Sequence, residues 1–240
     1  MLPAALLARL QGRVFVQTGA GISVASGIRP FRGDDGLYKG LNPYDLASPE
    51  AFFSQPATVW NWYLMRVRNA WDCKPNAAHY ALVELDKNAA EFTLVTSNVD
   101  SLHEMAGATE VLRLHGDILQ TLCTGCGEVA QLEPQKYPDE VDDETLPTCA
   151  TCGGLLRPNV VWFGERPWPE AIAAIRVALP RAHVLLEVGT SGVVSYGLDE
   201  MAVRMGIPVI RINPDSRPQK GVTELVGPAE EILPALVAAL

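Results

Sequence analysis

The sequence lacks any apolar run as long as the roughly 18–20 residues that a transmembrane helix needs, so we expect no membrane partner. Basic residues are also in deficit, because 19 Lys and Arg stand against 28 Asp and Glu, a formal net charge of −9. A protein held mainly by nucleic-acid phosphates needs a basic surface, so this charge argues against nucleic acid as a partner. The apolar start has no basic leader and predicts an amphipathic first helix in a cytoplasmic protein.

The remaining composition is that of a folded globular protein, with 48% hydrophobic and 20% charged residues. A length of 240 residues suits one large α/β domain, or one domain that carries a small insert. We see no internal repeat, and without any sign of an oligomer the default expectation is a monomer.

Cysteine is scarce, yet four of the five cysteines form two C-x-x-C pairs separated by 22 residues: Cys123, Cys126, Cys149 and Cys152. Two such pairs can complete a tetrahedron of thiolates, which is typical of a zinc ribbon. The alternative is two disulfides in a secreted protein, which the absence of a leader disfavours. A site closed by four protein ligands is structural rather than catalytic, and Cys73 stands apart as an ordinary free thiol.

Short apolar stretches alternate with helical ones along most of the chain. The predicted strands are 13–18, 92–96, 111–115, 159–163, 183–188 and 208–212, and the predicted helices include 48–71 and 76–85. This alternation predicts an α/β fold with a Rossmann-like parallel sheet, whose carboxyl strand ends form the ligand crevice. The first strand leads into a glycine-rich loop suited to phosphate, although the third glycine of G-x-G-x-x-G is missing, so this signal is weak alone.

Together, these motifs give the chain a specific resemblance that spans residues 12–236. They are GAGIS at 19–23, GIRPFRG at 27–33, SNVD at 97–100, LHG at 114–116, the four cysteines, VWFGE at 161–165, GTS at 189–191 and IN at 212–213. In this order they resemble the sirtuin family of NAD-dependent protein deacylases, closest to its bacterial, class III-like branch. The resemblance implies one catalytic region, with a Rossmann-like NAD-binding part at 1–39, 87–118 and 157–240. A small inserted module would combine helices at 40–86 with the zinc ribbon at 119–156.

The resemblance also implies a reaction in which an acyl-lysine protein or peptide and NAD give nicotinamide, O-acyl-ADP-ribose and free lysine. The acyl oxygen would attack the ribose as nicotinamide leaves, and His115 would act as general base on a ribose hydroxyl, with Asn98 and Asp100 as further catalytic residues. A histidine suits this step, because its ordinary pKa near ~6.5 leaves much of it neutral at physiological pH.

By the same resemblance, NAD would be bound by residues of six motifs and one position near the carboxyl end. They are Gly19, Ala20, Gly21, Ile22, Phe31, Arg32, Ser97, Asn98, Asp100, Gly189, Thr190, Ser191, Asn213 and Ala229. One position departs from the family, which usually carries Gln where this chain has Ser97. Serine is too short to make the same contact directly, so one ribose contact is in doubt.

The acyl group is indicated by Tyr63 and Arg66, whose spacing places them on one face of a helix. A phenol and a guanidinium together can bind a carboxylate, as in family members that remove succinyl, malonyl and glutaryl groups. Ala47 resembles the small residue that widens the acyl pocket in that subgroup. The simpler alternative is an aromatic core residue beside a solvated arginine. We expect removal of both acidic acyl and acetyl groups.

The lysine stem of the substrate would be flanked by Val161, Trp162 and Phe163, with their backbone pairing with an extended peptide. Two other functions remain open. The first is an NAD hydrolase or ADP-ribosyltransferase on the same fold, which would not need acyl-lysine. The second is a non-catalytic NAD-sensing or zinc-ribbon binding module.

Overall fold

The structure is a computed structural model that describes residues 2–30, 36, 38, 40–192 and 196–240. Its strands are β1 Arg13–Thr18, β2 Glu91–Thr96, β3 Val111–Arg113, β4 Gly116–Cys123, β5 Val129–Gln131, β6 Leu156–Val160, β7 Val184–Val188, β8 Val209–Asn213 and β9 Val222–Val226. Its α-helices are α1 Ala4–Leu7, α2 Pro49–Ser54, α3 Pro56–Asp72, α4 Ala77–Asn88, α5 Leu102–Ala106, α6 Pro169–Ala178, α7 Leu198–Arg204 and α8 Ala229–Val237.

Six strands form one parallel sheet in the order β3-β2-β1-β7-β8-β9. The central strands β1 and β7 are buried almost throughout, because helices cover both faces of a parallel sheet. One apolar cluster packs α4 and α8 against one face, and a second packs α6 and α7 against the other. The α/β fold class expected from the sequence is confirmed.

A second sheet is antiparallel, has the order β5-β4-β6, and packs against helices α2 and α3. The apolar cluster between them includes Phe52, Trp60, Tyr63 and Trp162. Within the described part of the chain, no helix is both long enough and apolar enough to cross a membrane.

Three element predictions need correction. The helix expected at 48–71 is broken at Gln55, because Pro56 has no N–H to donate and instead begins α3. The strand expected at 159–163 runs three residues earlier, as β6, and pairs antiparallel with β4 outside the parallel sheet. Strand β9, at the sheet edge, was not predicted.

Candidate active site

The carboxyl ends of neighbouring parallel strands bring the predicted NAD residues together. After β1, the N–H of Gly19 donates to Val188 O (3.0 Å), and Asn98, after β2, donates from Nδ2 to Gly19 O (3.1 Å). After β8, Asn213 donates from Nδ2 to Thr190 O (2.7 Å). The sheet order therefore gathers three of the predicted motifs and Asn213 at one edge, the usual place for a ligand crevice.

Two glycines let the loops after β1 and β7 touch. The N–H of Gly21 donates to Gly189 O at 2.9 Å, and a Cβ on Gly21 would lie only 2.7 Å from the Cα of Gly189. Gly189 itself has a φ of +64°, which side chains rarely adopt. Any larger residue at either position would push the loops apart, which explains the glycines in GAGIS and GTS.

Five further predicted NAD residues comprise two that are buried, one that is exposed and two that lie outside the described residues. Ile22 is fully buried in the 3-10 helix Ala20–Ser26, and Ala229 is buried at the start of α8, which contacts that helix. Ser191 follows Thr190 in the loop after β7 and is exposed. Phe31 and Arg32 lie outside the described residues.

His115 is held by hydrogen bonds at both ring nitrogens. Its Nδ1 lies 2.9 Å from Ser97 O and its Nε2 lies 2.6 Å from Tyr196 Oη. Since a carbonyl only accepts, Nδ1 carries the proton and the Nε2 lone pair accepts from the Tyr196 hydroxyl. Burial lowers the pKa of His115. The imidazole is thus neutral with a basic Nε2, as a general base requires.

Sequence reasoning missed Tyr196, which lies just beyond the GTS motif. It has a φ of +54° and is the one non-glycine residue with positive φ among those described. Such a conformation carries strain that its surroundings must offset. No motif could have identified this residue, because its contact with His115 joins positions 81 residues apart.

Asn98 and Asp100 are buried beside Ser23. The Ser23 hydroxyl donates to Asp100 Oδ2 (3.0 Å), and Asn98 Nδ2 lies 3.2 Å from the same hydroxyl. Burial raises the pKa of Asp100. Asp100 Oδ1 also accepts from the N–H of Leu102 (3.2 Å), so the residue supports the start of α5 as well.

Two buried oxygens at this edge have no hydrogen-bond partner within the described residues: Asn98 Oδ1 and Ser97 Oγ. A buried polar atom without a partner costs on the order of 1–3 kcal/mol, so such atoms indicate a place where a ligand donor or acceptor fits. Amide and hydroxyl groups of a nicotinamide ribonucleotide have the chemistry that would satisfy them.

Of the two residues predicted to recognise the acyl group, Arg66 lines a pocket that predicted NAD residues also line, and Tyr63 is not among the lining residues. The pocket is lined by Ala20, Ile28, Arg29, Arg66, Asn69, Ala70, Asn98, Val99, Asp100 and Ile118. Arg66 is only 8% exposed, and its guanidinium lies 4.5 Å from the Trp62 ring centroid and 5.1 Å from that of Tyr63. The alternative of a solvated surface arginine is therefore wrong.

Tyr63 is buried, and burial raises the pKa of its phenol. Its Oη accepts a hydrogen bond from the indole Nε1 of Trp162 at 2.9 Å. Ala47 is also buried, and its carbonyl accepts from the N–H of Phe163 (2.9 Å). The fold thus places all the predicted acyl-side residues on adjoining segments.

The three residues expected beside the lysine stem already use their N–H groups within the chain. Val161 donates to His115 O (2.9 Å), Phe163 to Ala47 O, and Trp162 to Glu165 Oε2 (2.8 Å). Strand pairing with a peptide at this segment would have to use carbonyl oxygens. Val161 joins this segment directly to the backbone of His115.

The four paired cysteines form one compact cluster. Their Sγ atoms all lie within 4.8 Å of one another, with Cys123–Cys152 at 3.4 Å and Cys126–Cys149 at 3.8 Å. Tetrahedral thiolates at ~2.3 Å from a zinc ion would be about 3.8 Å apart, so the cluster fits this metal. The N–H of Gly125 points at Cys123 Sγ (3.3 Å), as expected for thiolate ligands.

Comparisons with known proteins agree with this geometry. The Sir2 family model matches residues 19–196. The chain is 40% identical to "NAD-dependent protein deacylase 1" of Archaeoglobus fulgidus, covering 92% of this chain and 89% of that one. It is 38% identical to the NAD-dependent protein deacylase of Pseudomonas putida, covering 92% and 87%.

Solved structures also match the chain over its whole length. A Sir2 homologue in complex with NAD has a TM-score of 0.87 at 36% identity, covering 100% of this chain and 94% of that chain. A Sir2 complex with a p53 peptide and NAD+ has a TM-score of 0.85 at 27% identity, covering 100% and 98%. The chain therefore belongs to the Sir2 family of NAD-dependent protein deacylases.

Proposed function

We propose that this protein uses NAD to remove succinyl and malonyl groups, and also acetyl groups, from protein lysines. The observation that carries the acyl preference is the buried pair Tyr63 and Arg66, of which Arg66 lines the pocket that Asn98 and Asp100 also line. A guanidinium sequestered from water binds a carboxylate more strongly than a solvated one, and its paired donors match the two oxygens. A phenol hydroxyl adds a third donor.

His115 acts as the general base in this proposal. Its Nδ1 proton is held by Ser97 O, so Nε2 is free to take a proton from a ribose hydroxyl once that hydroxyl replaces Tyr196. Asn98 and Asp100 hold the nicotinamide ribose and carboxamide. The glycine loop and the predicted residues after β7 and β8 hold the phosphates and the adenosine.

The four cysteines hold one structural zinc ion in this proposal, since the cluster has the donor set and spacing that zinc prefers. Metal analysis of the purified protein should give one zinc per chain, and Cys149→Ser should release it and lower the melting temperature. Cys73→Ser is the control, because Cys73 lies apart from the cluster. An unchanged zinc content in Cys149→Ser would contradict the assignment.

We also propose that the protein is a cytoplasmic monomer. Its Rossmann-like part would comprise 1–39, 87–118 and 157–240, and its small module 40–86 and 119–156. Thiolate ligands need a reducing compartment, which supports the cytoplasm. The net charge of −9 argues against nucleic acid as a partner. Membership of the Sir2 family favours an enzyme over a binding module.

The acyl preference is tested by Arg66→Met, assayed on matched succinyl-lysine and acetyl-lysine peptides. Losing a buried charge-assisted contact should lower kcat/KM for succinyl-lysine about 100-fold relative to acetyl-lysine. Arg68→Met is the matched control, because Arg68 lies on the same helix but bonds to Pro138 and Asp139 near the surface. An equal loss on both peptides, or an equal effect of the control, would contradict the preference.

A further inference from the structure

We propose that Trp162 sets the direction of the Tyr63 hydroxyl proton and so makes Tyr63 a donor to the carboxylate of the acyl group. Trp162 is thereby a positioning residue for acyl selectivity rather than only a wall beside the lysine stem. This inference rests on the proposed function and deepens it. It begins from one buried hydrogen bond, 2.9 Å between the indole Nε1 and Tyr63 Oη.

That hydrogen bond can have only one direction, from Trp162 to Tyr63. An indole N–H can only donate, whereas a phenol oxygen both donates and accepts, so Tyr63 must be the acceptor. A phenol proton lies in the plane of its ring and has two positions there. With the indole on one side of the oxygen, the proton is left to point to the other side.

Arg66 adds a second constraint, because a guanidinium also has only donors. Its guanidinium lies 5.1 Å from the Tyr63 ring centroid. Burial raises the pKa of Tyr63, and the charge of Arg66 and its hydrogen bond to the phenol lower it in part. The Tyr63 oxygen therefore faces donors, and the described residues offer no acceptor to its proton. A carboxylate between Tyr63 and Arg66 supplies that acceptor, whereas the methyl group of an acetyl substrate does not.

The indole is held in place by an ion pair between Arg157 and Glu165, of which only Glu165 belongs to a sequence motif, VWFGE. The guanidinium of Arg157 lies 3.4 Å from the Trp162 ring centroid. Glu165 accepts two hydrogen bonds from Arg157, at 2.6 and 2.9 Å, and one from the backbone N–H of Trp162, at 2.8 Å. Ring and backbone of Trp162 are thus fixed together, which fixes the position of its N–H.

A purely space-filling role would give a different result, and a mutant cycle separates the two. We would compare Trp162→Phe, Tyr63→Phe and the double variant on succinyl-lysine, on its uncharged succinamide analogue and on acetyl-lysine. Trp162→Phe should lower the succinyl to acetyl ratio of kcat/KM about tenfold, mostly through KM. In the Tyr63→Phe background, Trp162→Phe should alter that ratio less than twofold. Trp162→Phe should also lower kcat/KM less for the succinamide analogue than for succinyl-lysine.

A second variant guards against a poorly folded Trp162→Phe protein. Benzothienyl-alanine at position 162 keeps the shape of the indole and removes only the N–H, and it should reproduce the loss of selectivity. Arg66→Met in the same assay identifies a failure of the proposed function itself. The inference is overturned if succinyl cleavage needs Arg66 but benzothienyl-alanine leaves the succinyl to acetyl ratio of kcat/KM unchanged. It is also overturned if the effects of Trp162→Phe and Tyr63→Phe on that ratio are independent and multiply in the double variant.

Discussion

At the scale of single residues, His115 shows how a backbone contact prepares a base. The Ser97 carbonyl fixes the tautomer, and burial lowers the pKa of the imidazole. Burial disfavours the charged imidazolium. His115 therefore stays neutral at pH values at which an exposed histidine is already protonated.

We therefore expect the acidic limb of the kcat/KM profile to have its midpoint below the ordinary histidine value of about 6.5. The measurement is kcat/KM for an acyl-lysine peptide from pH 5 to 9 in wild type. The zinc content is checked at each pH, since acid also releases metal from thiolates. A midpoint well above 6.5 would contradict this account of the site.

Tyr196 gives a second prediction at this scale. Its hydroxyl occupies His115 Nε2, the atom that a ribose hydroxyl must reach. Tyr196→Phe removes a competing hydrogen bond of about 1 kcal/mol, so kcat/KM for NAD should rise about fivefold. A fall in kcat instead would mean that the phenol takes part in the reaction.

Most residues of the candidate site could be predicted from the sequence, because they lie in short motifs at the ends of strands. Tyr63 and Arg66 were predicted from the resemblance to the family together with their helical spacing, and the structure adds that both are buried. Tyr196, Arg157 and Glu165 as supporting residues were not predicted, because their roles arise from tertiary contacts. The roles of the individual site residues stay predictions until the variants are assayed.

At the scale of elements, apolar runs predicted the central strands well. Edge strand β9 was missed because four of its five residues are only half-buried, the fifth is exposed, and they carry no continuous apolar signal. The segment at 159–163 misled the prediction because Trp162 is buried, and Phe163 partly buried, after the strand has ended, in the cluster that includes α2 and α3. Burial alone does not distinguish a strand from a packed turn.

The junction between His115 and β4 depends on Gly116. This residue has a φ of +83°, and a Cβ there would collide with the carbonyl oxygen of Asn159 on β6. Gly116→Ala should lower the free energy of unfolding by more than about 2 kcal/mol, measured by urea denaturation. Gly164→Ala is the matched control, because its φ is +89° but nothing lies within 4 Å of its Cβ. Equal losses in the two variants would show that steric contact with β6 does not matter.

At the scale of the whole molecule, the apolar core surrounds two neutral histidines, His79 and His103, whose rings lie 5.0 Å apart. Burial lowers the pKa of His79 to about 4 and that of His103 to about 3. The parallel fold was predictable from alternating elements. The contact between the two histidines was not, because it joins residues of two different helices, α4 and α5.

These pKa values predict acid sensitivity. The unfolded chain binds protons below about pH 6.5 and the folded chain does not, so stability is lost as the pH falls below 6.5 towards 4. At pH 5 each histidine should favour unfolding by about 2 kcal/mol. Urea denaturation at pH 8 and pH 5 should therefore show a smaller loss in His103→Gln than in wild type. An identical pH dependence would contradict burial of a neutral His103 as its cause.

The most direct test of the account is whether NAD consumption depends on acyl-lysine. Purified protein would be incubated with NAD and matched peptides carrying succinyl-lysine, acetyl-lysine or unmodified lysine, with products followed by mass spectrometry. We predict O-succinyl-ADP-ribose and O-acetyl-ADP-ribose from the acylated peptides and no NAD loss with unmodified lysine. Equal NAD consumption with all three peptides would contradict the deacylase mechanism and favour an NAD hydrolase.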